Sequence, residues 1–163
     1  MAESRLSQEG LLELFSSQTL GVLATIKRDG RPQLSNIGYH WDSESGTARI
    51  IAAGFRAKTV NLRRDDRASI HVNDPKFSLW LVAEGSATIS EPCVTHDDAI
   101  ADEILSLPGY DQIPRGSDQL EALLRDYPII GRHIIRVKVD RIYGGESSAA
   151  RGISFTVNEG TAA

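Results

Sequence analysis

Short strand-like runs joined by tight turns constrain this chain most. LGVLATIK reads as a strand, RDGR as a hairpin turn, PQLSNIGYHWD as the returning strand, SESG as a second turn and TARIIAAG as a third strand. Strands linked this closely form an antiparallel meander, because a parallel return needs a crossover of about a dozen residues or more.

Further along, RASIHV and SLWLVAEGSATISE have strand character, and RHIIRVKVDRIYG alternates, with Ile135, Val137 and Val139 on one face and Arg136, Lys138 and Asp140 on the other. Helical patterns occupy the remaining ground. Ser7 is placed to cap a helix through residue 17 that carries Leu11, Leu14 and Phe15 on one side. AKTVNLRRD reads as two helical turns. Thr95 and Asp98 suggest a capping box before Ile100, Ile104 and Leu107, and Ser117 a cap before Leu120, Leu123 and Leu124. The expected fold is mainly β with peripheral helices, a six-stranded antiparallel barrel. One domain is expected over residues 1–144, with a helical excursion over 93–128 that carries eight acids against two bases and reads as solvated. The Gly-, Ser- and Ala-rich stretch 145–163 reads as a mobile tail in which ISFTV offers one more strand.

Composition removes several function classes. A chain of 163 residues buries enough surface to fold without a staple, and Cys93 stands alone, so no disulfide framework arises within it. A net charge of -4 argues against general duplex binding, and no apolar run has the length of a membrane span. No nucleic-acid or membrane partner is expected, and a cytoplasmic location is. The four histidines are scattered without metal spacing, so no metal site is expected. No G-x-G-x-x-G, Walker lysine loop or G-x-S-x-G elbow is present. No catalytic residue can be nominated, and an enzyme built this way would leave the reactive atom to a cofactor.

Against that acidic background, IIAAGFRAKTVNLRRDDR concentrates Arg56, Lys58, Arg63, Arg64 and Arg67. A strand ends at Gly54, whose backbone permits a sharp turn, and a helix starts near Ala57. Amides at a helix start lack intrahelical partners, and the helix dipole favours negative charge there. Arg56 and Lys58 flank that start and Thr59 adds a hydroxyl, which together suit one phosphate group. The alternative is a charged surface helix with solvated ends. The strand RPQLSNIGYH places Gln33, Ser35, Ile37 and Tyr39 on one face and Leu34, Asn36, Gly38 and His40 on the other. Neutral hydrogen-bonding groups beside small residues suit a flat polar heterocycle, and an exposed edge strand would also account for them.

GVLATIKRDGRPQLSN, FRAKTVNLRRDDRASI, VAEGSATIS and RVKVDRIYG, in that order, resemble the pyridoxamine 5'-phosphate oxidase-like flavin split barrels, and within them the actinobacterial branch that binds the deazaflavin coenzyme F420. The resemblance implies a six-stranded split barrel and a homodimer with cofactor sites at the subunit interface. It implies that Arg56 and Lys58 hold the cofactor phosphate and that Asn61 supports that loop. It sets the ring system against Gln33, Ser35 and Asn36 and near Ile51 and Ala52, with Ser78 and Trp80 approaching from the second subunit. The Arg-Leu-x-Pro ending of pyridoxamine phosphate oxidases proper is not found in RGISFTVNEGTAA, so the resemblance does not carry that activity over.

The function so implied is a reductase passing hydride from reduced F420 to an electron-poor conjugated small molecule. The alternatives are an FMN-binding protein of the pyridoxamine-phosphate-oxidase type and a non-catalytic carrier of the coenzyme. Arg63, Arg64 and Arg67 are placed to attract the carboxylates of the deazaflavin tail, and Tyr39 or His40 are candidate proton donors.

Overall fold

A computed structural model describes residues 6–126 and 128–147. The elements are α1 (Gln8–Ser17), β1 (Leu20–Ile26), β2 (Pro32–Gly38), β3 (His40–Asp42), β4 (Thr47–Ala53), α2 (Ala57–Leu62), β5 (Arg67–Asn73), β6 (Leu79–Ile89), α3 (Ala99–Leu105), α4 (Asp118–Asp126) and β7 (Arg132–Glu146). All seven strands form one antiparallel sheet of order β2-β1-β5-β6-β7-β4-β3, the curled sheet of a split barrel. The meander's second strand is divided at Tyr39, which raises the count from six to seven. Tyr39 is 1% exposed and its hydroxyl donates to the Phe15 carbonyl at 2.8 Å, so the chain bends there to bury a ring beneath α1. Phe15 also packs 4.7 Å from Trp41, centroid to centroid.

The ladder between β6 and β7 is the longest, and it slips by one residue between Glu84 and Gly85. A β-carbon at Gly85 would lie 1.9 Å from the Lys138 carbonyl oxygen, so only glycine permits this close crossing. Two cores lie on either side of β7. Ile135 and Val137 join Leu23, Ile50, Ile70 and Leu81 inside the barrel. Ile134 points the other way and packs with Cys93, Ala101, Ile104, Leu120 and Ile129. Each such fully buried aliphatic side chain contributes about 1.5–3 kcal/mol.

That second core corrects, on one face, the reading of the excursion as solvated: Asp97, Asp102, Asp111, Asp118 and Glu121 are exposed, while the apolar side is packed. Glu103 accepts from Arg49 Nε at 3.1 Å and from Arg136 Nε at 2.9 Å, which clamps α3 onto β4 and β7. The two guanidiniums hold its carboxyl below the usual range, with Arg136 the larger influence. Local caps follow the sequence more closely. Ser7 Oγ accepts from Gly10 N and Ser117 Oγ from Leu120 N. At α3, Asp98 is the cap, accepting from Ile100 N and Ala101 N, whereas Thr95 is one of the residues whose amide it receives. Strand β7 continues through Gly145 and Glu146; the ISFTV segment lies outside the described residues.

Candidate functional site

The sheet order leaves β2 and β4 without a ladder between them, and α2 begins just beyond the end of β4. A cleft of about 500 Å³ opens there. It is lined by Gln33, Ser35 and Asn36 of β2, Ile51, Ala52 and Ala53 of β4, Arg56, Ala57 and Lys58 at the start of α2, and Arg132 at the start of β7. Seven of the residues singled out in the sequence therefore share one cavity: Gln33, Ser35, Asn36, Ile51, Ala52, Arg56 and Lys58.

The basic end of the cleft is under electrostatic tension. Arg56 is the N-cap of α2 and no side chain caps the helix. Its guanidinium sits 5.3 Å from the Phe55 ring centroid, and neither Arg56 nor Lys58 meets a carboxylate among the described residues. Burial, and then the neighbouring Arg56, lower the Lys58 ammonium pKa from its ordinary value. Two like charges side by side, one of them partly desolvated, are a cost that a bound anion would remove. Arg132 adds a third cation, steered by a 3.2 Å bond from its Nε to the Pro128 carbonyl. Sequence reasoning passed over Arg132 because only the pairing of Ala53 with Arg132 across β4 and β7 brings it here.

The rest of the basic stretch behaves differently. Arg63 donates to the Gly54 carbonyl at 3.0 Å and contacts His133 Nε2 at 3.3 Å. His133 Nδ1 lies 2.8 Å from the Ser90 carbonyl, which can only accept. Nδ1 therefore carries the proton and Nε2 accepts from Arg63. This packing is what requires Gly54, since a β-carbon would fall 2.6 Å from His133 Nε2; no unusual backbone angle is involved. Arg64 donates to the Ile26 carbonyl and Arg67 is paired with Asp65 at 2.7 Å. The three arginines expected to draw in a carboxylate tail are thus already engaged.

The polar face of β2 continues the barrel's inward face. Ile37 and Tyr39 are buried in the core, while Gln33 and Ser35 occupy the cleft end of the same face. Thr59 and Asn61 are not part of the lining. Thr59 is fully buried and donates to the Ala53 carbonyl at 3.0 Å, which ties α2 to β4. Asn61 is buried beneath the helix and donates to Thr25 Oγ1 at 3.1 Å. Ser78 and Trp80 lie away from this chain's cleft: Ser78 Oγ donates to Asp74 in the β5–β6 turn, and Trp80 meets Tyr143 edge-on at 6.4 Å. Tyr39, with its phenol pKa raised by burial and its hydroxyl committed to Phe15, is not placed as a proton donor. His40 is half-buried, and burial lowers its imidazole pKa. Among the described residues no cluster of His, Cys, Asp or Glu suits a metal ion, and no helix is long and apolar enough to cross a membrane.

Comparison with known proteins agrees with this architecture. The chain is 28% identical over 141 residues to a protein named F420H(2)-dependent biliverdin reductase from Mycobacterium tuberculosis (strain CDC 1551 / Oshkosh), covering 86% of this chain and 89% of that one. The crystal structure of a conserved hypothetical protein from Mycobacterium tuberculosis superposes with a TM-score of 0.66 at 23% identity, over 99% of this chain and 98% of the other. A structure described as F420 reductase superposes at 0.58 with 21% identity, over 83% and 98%. The pyridoxamine 5'-phosphate oxidase family profile matches residues 7–144, from the cap of α1 to the far end of β7. A match that takes in the whole barrel and the cleft at its seam makes the chain a member of the pyridoxamine 5'-phosphate oxidase family.

Proposed function

We propose that this protein is an F420-dependent oxidoreductase, a reductase that delivers hydride from the reduced deazaflavin to an electron-poor conjugated small molecule. The observation that carries the reading is the pair Arg56 and Lys58, two cations without a carboxylate partner among the described residues, in a cleft lined otherwise by Arg132 and by uncharged residues. A cofactor phosphate between them, a diester in F420 and a monoester in FMN, would accept charge-assisted hydrogen bonds and restore the Lys58 pKa toward its ordinary value. The name of the 28% identical mycobacterial relative supports the deazaflavin as the carrier.

Bound here, the deazaflavin supplies the hydride chemistry. The chain's own contribution is placement. Ala52, Ala53 and Ile51 give a flat ring room to approach β4, Gln33, Ser35 and Asn36 offer hydrogen bonds along its edge, and the cationic end fixes its distance along the cleft. Positioning of this kind lowers the barrier by holding donor and acceptor in reach and keeping water out. A second subunit would complete the enclosure, bringing its own Ser78 and Trp80 to the open side. The exposed Leu34 of edge strand β2, together with Leu20, favours such a homodimer.

A second reading is an FMN-binding protein of the pyridoxamine-phosphate-oxidase type, favoured by the family's own description. Titration of the purified protein with coenzyme F420 and with FMN separates the two. The proposal expects tighter binding of F420, and oxidation of its reduced form by a quinone, enone or tetrapyrrole acceptor. Preferential uptake of FMN would replace it with the second reading. Tight F420 binding with no turnover across that panel would leave a carrier.

A further inference from the structure

Beneath the cleft runs a chain of hydrogen bonds whose direction can be worked out from one carbonyl. Gln33 Nε2 lies 2.6 Å from the Leu34 carbonyl oxygen, which only accepts, so the amide nitrogen of Gln33 must be on that side and its oxygen on the other. The same nitrogen donates to Ser35 Oγ at 2.9 Å. Gln33 Oε1 therefore faces Thr25 Oγ1, at 3.3 Å, and as two acceptors cannot bond, Thr25 spends its one proton there. The Thr25 oxygen is left to accept from Asn61 Nδ2, at 3.1 Å. The order of donation is Asn61 to Thr25 to Gln33 to Ser35. Thr25 is fully buried and Asn61 is 7% exposed, so water is kept from the Asn61–Thr25 end of the sequence.

The chain ends at the cleft wall. Ser35 Oγ has received a bond from Gln33, and among the described residues its own hydroxyl proton has no acceptor. We infer that the Asn61–Thr25–Gln33 relay occupies one Ser35 lone pair and leaves its proton free to donate, which favours a ligand presenting a carbonyl-type acceptor to β2, and that Thr25 is a positioning residue for that recognition. The inference rests on the cofactor reading above: the pyrimidinedione edges of both deazaflavins and flavins carry such carbonyls. It gives buried Asn61 and Thr25 a function at a distance, on the ring half of the site, separate from the phosphate half at Arg56 and Lys58. A ligand offering only donors on that edge would leave the Ser35 proton without an acceptor and bind less tightly.

The test uses the full chain and two probes: the coenzyme identified by titration, and ribitol 5-phosphate, which has the phosphate and linker without the ring. Thr25→Val keeps the shape and removes the relay, Thr25→Ser keeps the hydroxyl, and Ser35→Ala removes only the final donor on the partly exposed strand. Thr25→Val and Ser35→Ala are each expected to weaken the coenzyme about tenfold, with ribitol 5-phosphate unaffected, Thr25→Ser close to wild type, and the double variant no worse than Ser35→Ala. Unchanged coenzyme affinity in Thr25→Val and Ser35→Ala would overturn the relay, as would equal losses for both probes or a Thr25→Ser variant as weak as Thr25→Val. Arg56→Ala with Lys58→Ala, measured beside them, distinguishes the failures. If that variant loses both probes while the relay variants lose neither, the relay alone is wrong; if wild type binds neither F420 nor FMN, the cofactor reading and the relay fall together.

Discussion

The two ends of the basic stretch carry positive charge in opposite circumstances. At the start of α2, Arg56 and Lys58 face a cavity where no acid among the described residues answers them. Past its end, Arg63, Arg64 and Arg67 are occupied by the Gly54 carbonyl, the Ile26 carbonyl and Asp65. A count of charges treats the five alike. What separates them is whether the fold supplies an acceptor, and only the cations left without one are available to a ligand.

Several measurements would break that contrast or make it sharper. The largest effect is expected from Arg56→Ala with Lys58→Ala, which should cost the phosphate-bearing coenzyme about 3–5 kcal/mol of affinity in a binding titration. Its melting temperature should hold or rise, since a like-charge pair is removed. Next comes pH. The Lys58 pKa is depressed in the free protein, so that state sheds its proton as pH rises through a value below the ordinary 10.5, while a bound phosphate retains it. Affinity should therefore be flat at neutral pH and fall across the alkaline window, and Lys58→Arg should flatten the fall because guanidinium stays charged. In the same window the unfolded chain binds more protons than the folded one, so ligand-free stability should rise with pH.

Smaller effects belong to the other end. Arg63→Ala should lower stability by about 1 kcal/mol through its lost bonds to Gly54 and His133, read by denaturant titration, with coenzyme affinity within twofold. Arg67→Ala, at an exposed pair, should change neither melting temperature nor affinity measurably. A large affinity loss in either variant would erase the distinction between the two ends.

Local chemistry was the most readable part of this chain. Ser7 and Ser117 cap their helices because a cap depends on three residues, and the start of α2 at Ala57 followed from the change of period after Gly54. Pairing across the sheet was less accessible. Arg132 reaches the cleft only through its register with Ala53, and Ile134 finds a second core only because α3 and α4 cover the outer face of β7. Glu103 looked as solvated as the exposed acids around it since its partners, Arg49 and Arg136, lie on distant strands. Thr25 was nearer to hand: the RDGR hairpin places it directly opposite Gln33, and pairing the two strands outward from that turn would have found the relay.

The cleft's place between strands that share no ladder has a mechanical consequence. An occupant touching Gln33 and Ser35 on one side and Ile51 and Ala52 on the other becomes a rivet across the open margin of the sheet. Saturation a hundredfold above Kd should then stabilise the folded state by about 2.7 kcal/mol. The retarded deuterium uptake should concentrate on β2 and β4, the two lips of the gap, while the long β6–β7 ladder, paired with or without a ligand, should register little.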